Sequence, residues 1–336
     1  MQKIIYLENP VYIEGYSSVG GREEARGPLG KSFDFTDEKD LFGMKTYERA
    51  EGEMSRIALN LALKKRGITE RDLDLIVAGD LQNQCVASSN GLFTFGVPFL
   101  GLYGACSTCT EGLIVLSAML SSSKSYKRGA SVTSSHNCAA ERQFRTPLEY
   151  GGQRTPTAGW TATAAGAFIL SKENFSNIMI TSFMPGRAID GYTKDASNMG
   201  AAMALSAFDS IDFFFGENDP DSYDLILTGD LGRVGSSILK ELLSEKNKTH
   251  GLKLASLHND CGILLYDRST QDVHAGGSGC GCSASVLASY ILPKVSSGEL
   301  RKILLLSTGA LMNTSSLCQG DHILGIAPLI TIEYGG

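Results

Sequence analysis

Two stretches of the chain carry the same apolar run and the same stop. Residues 73–81 read LDLIVAGDL and residues 223–231 read YDLILTGDL. Each is a short apolar segment closed by Gly79-Asp80 or Gly229-Asp230, the pattern of a parallel strand buried on both faces that ends at a turn. Two further echoes follow in the same order. Gly104-Ala105-Cys106-Ser107-Thr108-Cys109 matches Gly279-Cys280-Gly281-Cys282-Ser283-Ala284, and Gly166-Ala167-Phe168-Ile169-Leu170 matches Ala327-Pro328-Leu329-Ile330-Thr331. Three pairs in one order imply a duplicated α/β unit. Such a unit tends to place its pocket where the copies meet.

The spacing of apolar residues fills in the elements between these anchors. Met54, Ile57, Ala58, Leu61 and Ala62 recur at helical intervals, which predicts a helix over 47–66 that stops at Gly67. Residues 1–46 read as irregular apart from a strand at 11–16. Further strands are predicted at 75–78, 98–103, 130–133 and 165–170, with a helix at 110–122. The second copy reads as strands at 178–182, 225–228, 261–266, 303–307 and 329–332, with helices at 199–215, 236–246 and 279–295. The order β-α-β-α-β-α-β-β thus occurs twice and predicts an α/β fold of stacked sheets covered by helices. The halves fall at 1–172 and 173–336. A polar, glycine-bearing segment at 134–163 interrupts the first half, and a loop of that length in a compact domain carries function or is disordered.

Composition narrows the function classes. The 336 residues are 43% hydrophobic and 20% charged, with a net charge of −6. That balance is ordinary for a globular protein and gives no bulk attraction to nucleic acid. The start, MQKIIYLENPVYIEG, lacks the apolar core of a signal peptide, and no continuous apolar run of about 18 residues offers a membrane span. A peripheral role at a membrane stays open through partners. The eight cysteines therefore read as reduced thiols rather than a disulfide framework.

Cys106 is the first candidate for chemistry. It sits between a buried strand and a helix start, where the helix N-terminus lowers a thiol's pKa and favours the thiolate. The plain alternative is a small buried core cysteine; its symmetric placement opposite Cys280 favours a pocket. The pair Cys106-x-x-Cys109 with Cys280-x-Cys282 also has zinc-like spacing, but the helix-start context argues against it. His258, Asp260 and Cys261 are spaced too tightly for a metal trio and read as a turn. No Gly-Lys-Ser/Thr follows the glycines, so a P-loop is rejected. Neither a metal nor a cofactor is expected.

A strand entering Gly-Ala-Cys-Ser at a helix start, inside a duplicated α/β unit, resembles the thiolase fold, whose halves stack in five α-β-α-β-α layers. In the condensing enzymes of that fold the cysteine takes an acyl group. A His after the strand equivalent to Leu225–Thr228 and an Asn opening the last long helix stabilise the enolate and its oxyanion. This sequence departs at both places: Gly229-Asp230-Leu231-Gly232 follows the strand, and Cys280 stands at the Asn position. One oxyanion donor is worth ~2.7–4 kcal/mol of barrier, so losing two implies a rate loss of ~10⁴-fold or more. The resemblance thus implies the fold with its condensing chemistry absent or severely weakened.

A closer resemblance spans nearly the whole chain. The segments GDLQNQ (79–84), PFLGLYGACST (98–108), TSSHNCAAERQFRTPLEYGGQ (133–153), YDLILTGDLGRVGS (223–236), HNDCG (258–262), AGGSGCGCSA (275–284) and STGAL (307–311) together resemble the stage V sporulation protein AD family. That resemblance implies binding of dipicolinic acid, alone or with Ca2+, and its uptake into the developing spore. It further implies partnership with the other stage V sporulation A membrane proteins, a place in the forespore or at the inner spore membrane, and a homodimer.

A flat aromatic dianion needs cations, backbone N–H groups and an apolar wall. The candidate ligand-binding residues are Cys106, His136, Arg142, Arg145, Arg154, Asp230, Arg233 and Cys280, with Tyr103, Phe144 or Tyr150 to stack on the ring. Each has a plainer reading. Arg142 and Arg145 can pair with Glu141 or Glu149 on a solvated face, and His136 can be a buried structural residue. Asp230 can cap a turn, as Asp80 does in the other copy, and beside a dianion it is repulsive unless a cation intervenes. The rival function is an acyltransferase in which Cys106 is the nucleophile and His136 its partner. A second rival is a scaffold with a vestigial pocket.

Overall fold

A computed structural model describes residues 2–145, 154–246 and 250–336, without the side chains of Arg145 and His250. The first half contributes strands β1 (Ile5–Gly20), β2 (Leu75–Gly79), β3 (Phe99–Leu102), β4 (Arg128–Ser135) and β5 (Ala164–Ser171). The second contributes β6 (Ile178–Met184), β7 (Leu225–Thr228), β8 (His258–Asp260), β9 (Lys302–Leu306) and β10 (Leu329–Tyr334). In space the first five run β1-β5-β4-β2-β3 and the second five β6-β10-β9-β7-β8. β2 is parallel to β3 and β4, and β7 is parallel to β8 and β9; the other neighbours are antiparallel in both halves. The duplication read from the sequence is therefore a duplication of topology, strand for strand.

Alternation along each strand explains the layering. Leu75 and Val77 of β2 point into one core with Phe168 and Leu170, while Ile76 and Ala78 point into another with Met54, Ala58 and Leu59. The second half repeats this: Leu227, Leu305 and Ile330 share the first core, and Ile226, Leu304 and Leu306 enter a third with Met203 and Phe214. The shared core holds helices α3 (Thr108–Ser122) and α6 (Cys280–Val286), which lie between the two half-sheets. Helices α1 (Tyr47–Arg66) and α2 (Val86–Leu92) cover the outside of the first half, and α4 (Met199–Phe215) and α5 (Gly232–Lys246) the outside of the second. Both faces of every central strand are thus apolar, as the unbroken apolar runs require. α1 starts where Thr46 Oγ1 accepts the Arg49 N–H and stops where Gly67 adopts φ +75°.

Several elements differ from the expectation. The N-terminal region is not irregular: β1 is 16 residues long. Its early part pairs with β6 and its later part with β5, so the half-sheets join into one sheet rather than remaining separate, with the short strand Phe35–Thr36 beside β1 as its eleventh. The predicted strand at 261–266 is a short helix, Cys261–Leu265, and the strand is the preceding His258–Asp260. A Gly beside Cys261 and a two-residue apolar repeat look alike at that length. The strand predicted at 98–103 lies at the sheet edge, with Phe99 and Leu100 exposed. The polar segment at 134–163 is partly built: it extends β4, forms a helix at Asn137–Arg145 and pairs Trp160–Thr161 with Gly277–Ser278. Residues 146–153, including Tyr150 and Glu149, lie outside the described residues. The helix predicted at 279–295 runs as α6, a π-helical turn at Leu287–Ile291 and a last turn from Leu292. Ala105–Ser122 has the length and mean hydropathy of a membrane span. It is the buried α3 region of the shared core.

Candidate functional site

The chain leaves the edge strand β3 at Leu102 and turns sharply into α3. Ala105 carries φ +52°, a left-handed backbone that costs a non-glycine residue about 1–3 kcal/mol. The turn is knitted by its own hydroxyls: Ser107 Oγ donates to Gly104 O at 2.6 Å, and Thr108 Oγ1 accepts the Gly104 N–H at 3.1 Å and donates to Ala105 O at 2.7 Å. The result delivers Cys106 to a narrow cleft between the halves. Leu81, Tyr103, Ala140, Phe144 and Thr161 line it from the first half, and Met199, Ser278, Ala310 and Met312 from the second, with Glu141 on the same wall. The lining is mostly apolar, and two aromatic rings face it.

Behind Cys106 lies Asp230, held at the end of β7 by donors from three segments. Its carboxylate accepts Gly279 N–H at 2.8 Å, Ser278 Oγ at 3.3 Å and Thr308 Oγ1 at 2.9 Å, and also the Cys106 thiol. Burial pushes the Asp230 carboxyl up to about 6, against the pull of these hydrogen bonds. Burial first, and then the Asp230 charge, raise the Cys106 thiol well above its usual value. The expectation that the helix start favours the thiolate is therefore overturned: Cys106 precedes the first helical residue by two positions, and desolvation beside a carboxylate outweighs the helix terminus. The sulfur holds its proton far more tightly than the carboxyl does, so Asp230 is a poor base for it.

Cys280 belongs with Cys106, Leu81 and Ala140 to one small buried cluster. Its thiol donates to Ser134 O at 2.9 Å, and burial raises its pKa well above the usual value. Gly279, at φ +93°, makes this approach possible, since a Cβ there would meet Ser135 Oγ at 2.8 Å. The equivalent Asp80 does cap a turn. It accepts Gln82 N–H and Ser88 N–H, each at 2.8 Å, and shares Gln82 with the buried Glu51. Burial and the nearby Asp80 charge raise Glu51 well above the carboxylate range.

The other candidates sit elsewhere. His136 is fully buried, its Nε2 2.7 Å from Asp40 O and its ring against Tyr47, and burial lowers its pKa. It lines no part of the cleft and so is not placed to serve as the partner of Cys106. Arg142 pairs with Glu48 on the surface. Arg154 is fixed by Asp272, 2.6 Å from its carbonyl and 2.8 Å from its carboxylate, and stacks on Trp160. Arg233 is exposed at the start of α5. None of these three arginines lines the cleft, and the side chain of Arg145 lies outside the described residues. His258, Asp260 and Cys261 are not the expected turn: the first two lie on β8 and Cys261 opens a short helix, and Asp260 accepts the Leu231 and Gly232 N–H groups at 2.9 and 3.0 Å. His258, lowered to about 3 by burial, lies 2.8 Å from Thr228 Oγ1. Sequence reasoning missed Thr308, Ser278, Met199 and Met312. The first two stand inside the STGAL and AGGSGCGCSA segments, which already marked the place.

Comparison with known proteins agrees with this fold. The solved structure of AbyA1, a tetronic acid condensing enzyme, superposes with a TM-score of 0.61 at 14% identity, covering 96% of this chain and 99% of that one. The 3-oxoacyl-[acyl-carrier-protein] synthase III of Aquifex aeolicus VF5 gives 0.58 at 14% identity, covering 96% and 100%. Xanthomonas campestris OleA with bound lauric acid and lauroyl-CoA gives 0.61 at 14% identity, covering 97% and 99%. At that identity the likeness establishes the thiolase-like fold alone. Stage V sporulation protein AD of Bacillus subtilis (strain 168) is 41% identical over 332 residues, which are 98% of this chain and 96% of that protein. The model of the stage V sporulation protein AD family matches residues 1–333, and the chain belongs to that family.

Proposed function

We propose that this is a non-condensing thiolase-fold protein of sporulation that binds dipicolinic acid in the Cys106 cleft and supports its uptake into the developing spore with membrane-channel partners. The observation that carries the reading is the state of the cleft. The segment Gly229-Asp230-Leu231-Gly232 lacks the condensing His and Cys280 stands at the Asn position, and Asp230 and Cys280 are both spent on internal hydrogen bonds. The cavity itself is kept, with Tyr103 and Phe144 on walls that suit a flat ring. Glu141 and the nearby Asp230 make the site unfavourable for a free dianion, so the ligand enters with its charge reduced, protonated or as its Ca2+ chelate. A homodimer belongs to the same proposal: β3 ends the sheet with Phe99, Leu100 and Tyr103 exposed, where a second copy's strand would continue it.

Calorimetric titration with dipicolinate, with and without Ca2+, tests the reading against Ala310→Phe, which fills the cleft from the second half. Saturable heat in the wild type that Ala310→Phe removes is expected. Absence of heat at millimolar ligand in both conditions contradicts the assignment.

A further inference from the structure

The floor of the cleft is closed to solvent. Cys106 is 5% exposed and Ala140 3%, and Leu81, Thr161, Ser278 and Ala310 are buried as well. A planar ring cannot reach the thiol until one wall moves. Most walls are anchored. Thr161 and Ser278 are paired with each other as strands, and Ala310 is paired with Gly325. Leu81 stands in the turn that Asp80 caps, and Met199 opens the long α4. The helix Asn137–Arg145 is joined to none of these by strand pairing, and of its described side chains only Ala139 and Ala140 are buried. Segments with few buried contacts are the ones that open locally. Ala140 and Phe144, four apart, share one face of this helix. Ala140 belongs to the small cluster with Leu81, Cys106 and Cys280, and Phe144 packs against it.

One side chain ties that face down. Gln143 Nε2 donates to Leu81 O at 2.7 Å, and Gln143 Oε1 accepts the Asn83 N–H at 2.8 Å. The amide thus bonds to the backbone on both sides of Gln82. The receiving turn is fixed from below, where Asp80 accepts the Gln82 N–H and Gln82 Nε2 donates to the buried Glu51. At the other end of the helix Asn137 donates to Thr163 Oγ1 and Thr161 O at 3.1 and 3.2 Å. The Arg142–Glu48 pair lies on the surface, where an ion pair adds little. We infer that the helix Asn137–Arg145 is a lid on the cleft and that Gln143 is its latch, a positioning residue that holds Ala140 and Phe144 against the Cys106 cluster and sets how often the cleft opens to a flat aromatic ligand. The ligand class rests on the dipicolinate reading; the lid does not. Entry and release use the same opening, so the latch governs both rates and leaves affinity unchanged. Each net hydrogen bond is worth a factor of about five in such an equilibrium, so losing both raises the open population by about tenfold or more.

Iodoacetamide labelling of the full chain, read by peptide mass spectrometry, tests the lid without any ligand. In Gln143→Met, which keeps the length of the side chain and loses both bonds, Cys106 should label about tenfold faster than in the wild type. Cys109 and Cys261, fully buried in the shared core, should label no faster, which separates lid opening from general unfolding. Gln143→Glu, which keeps an acceptor for Asn83 but no donor for Leu81, should move Cys106 in the same direction. Stopped-flow mixing with dipicolinate can be followed by the fluorescence of Trp160, the single tryptophan, which adjoins Thr161 of the cleft wall. Association and dissociation should both quicken by a similar factor in Gln143→Met, with Kd unchanged. Unchanged Cys106 labelling in both variants, or a parallel rise at Cys109 and Cys261, would overturn the lid. Faster dissociation alone would overturn the latch and make Gln143 a ligand contact. Faster Cys106 labelling with no response to dipicolinate in either protein would uphold the lid and count against the dipicolinate reading instead.

Discussion

Replacing Asp230 with Asn isolates one buried charge at the heart of the cleft. In the wild type the carboxyl titrates near 6 in the folded chain, against 3.8 for an unperturbed aspartate. A folded-state value above the unfolded one means that the native protein binds the proton more tightly. The associated stability is complete below pH 4 and is lost as the pH rises through about 6. At about 1.4 kcal/mol for each pH unit between the two values, the loss is on the order of 3 kcal/mol. Asparagine keeps the shape. Its oxygen can accept from Gly279 N–H while its NH2 faces Thr308 Oγ1, whose hydroxyl can turn to accept. Any fixed cost of the exchange is the same at every pH. Urea unfolding of both proteins at pH 4.5, 6.0 and 7.5 therefore reads the charge alone. Between pH 4.5 and 7.5 only the interval from 4.5 to about 6 contributes, so the stability of Asp230→Asn relative to wild type should improve by about 2 kcal/mol. The raised Glu24 carboxyl cancels because both proteins contain it, whereas Asp260, raised in part by the Asp230 charge, is raised less in the variant and adds in the same direction. Parallel pH profiles would refute the argument that Asp230 is buried and ionised at neutral pH.

Cys106 should resist iodoacetamide at pH 7.5, because it is buried and protonated, while the exposed Cys318 reacts first; peptide mass spectrometry would show the order, and rapid labelling of Cys106 would contradict the thiol state described above. Gly281→Ala should destabilise by about 1–3 kcal/mol or block folding, since its methyl would meet Ala164 O at 2.2 Å and Ser135 N at 2.8 Å and push α6 off β4 and β5; an unchanged Tm would count against that packing. Phe168→Ala should cost about 3–5 kcal/mol in chemical denaturation, because the ring is fully buried in the core shared by both half-sheets; a loss below 1 kcal/mol would show that this core is loosely packed.

The architecture was legible because it is written twice. LDLIVAGDL and YDLILTGDL have no polar face, which forces layers on both sides, and their matched order forces matched topology. The edge position of β3 was not legible, because Phe99 and Leu100 look like core residues until the partner strand is known to be missing. The helix at Cys261–Leu265 was misread because five residues are too few to distinguish periods of 2 and 3.6. The repeat marked Cys106, which lines the cleft, and Cys280 and Asp230, which lie behind it. The arginines were chosen for their charge, and charge alone does not say which way a side chain turns: Arg142 and Arg154 are held by Glu48 and Asp272. The state of the Cys106 thiol was also hidden, because desolvation and the Asp230 charge arise only when segments far apart in sequence close around it.

The central claim is that this thiolase-like fold holds a ligand in the cleft beside Cys106 and does not carry an acyl group there. Crystals grown with dipicolinate and a short acyl-CoA present together test it most directly. The account predicts planar density between Tyr103 and Phe144 and an unmodified Cys106 sulfur; an acyl group on Cys106, or dipicolinate bound only outside the cleft, would contradict it.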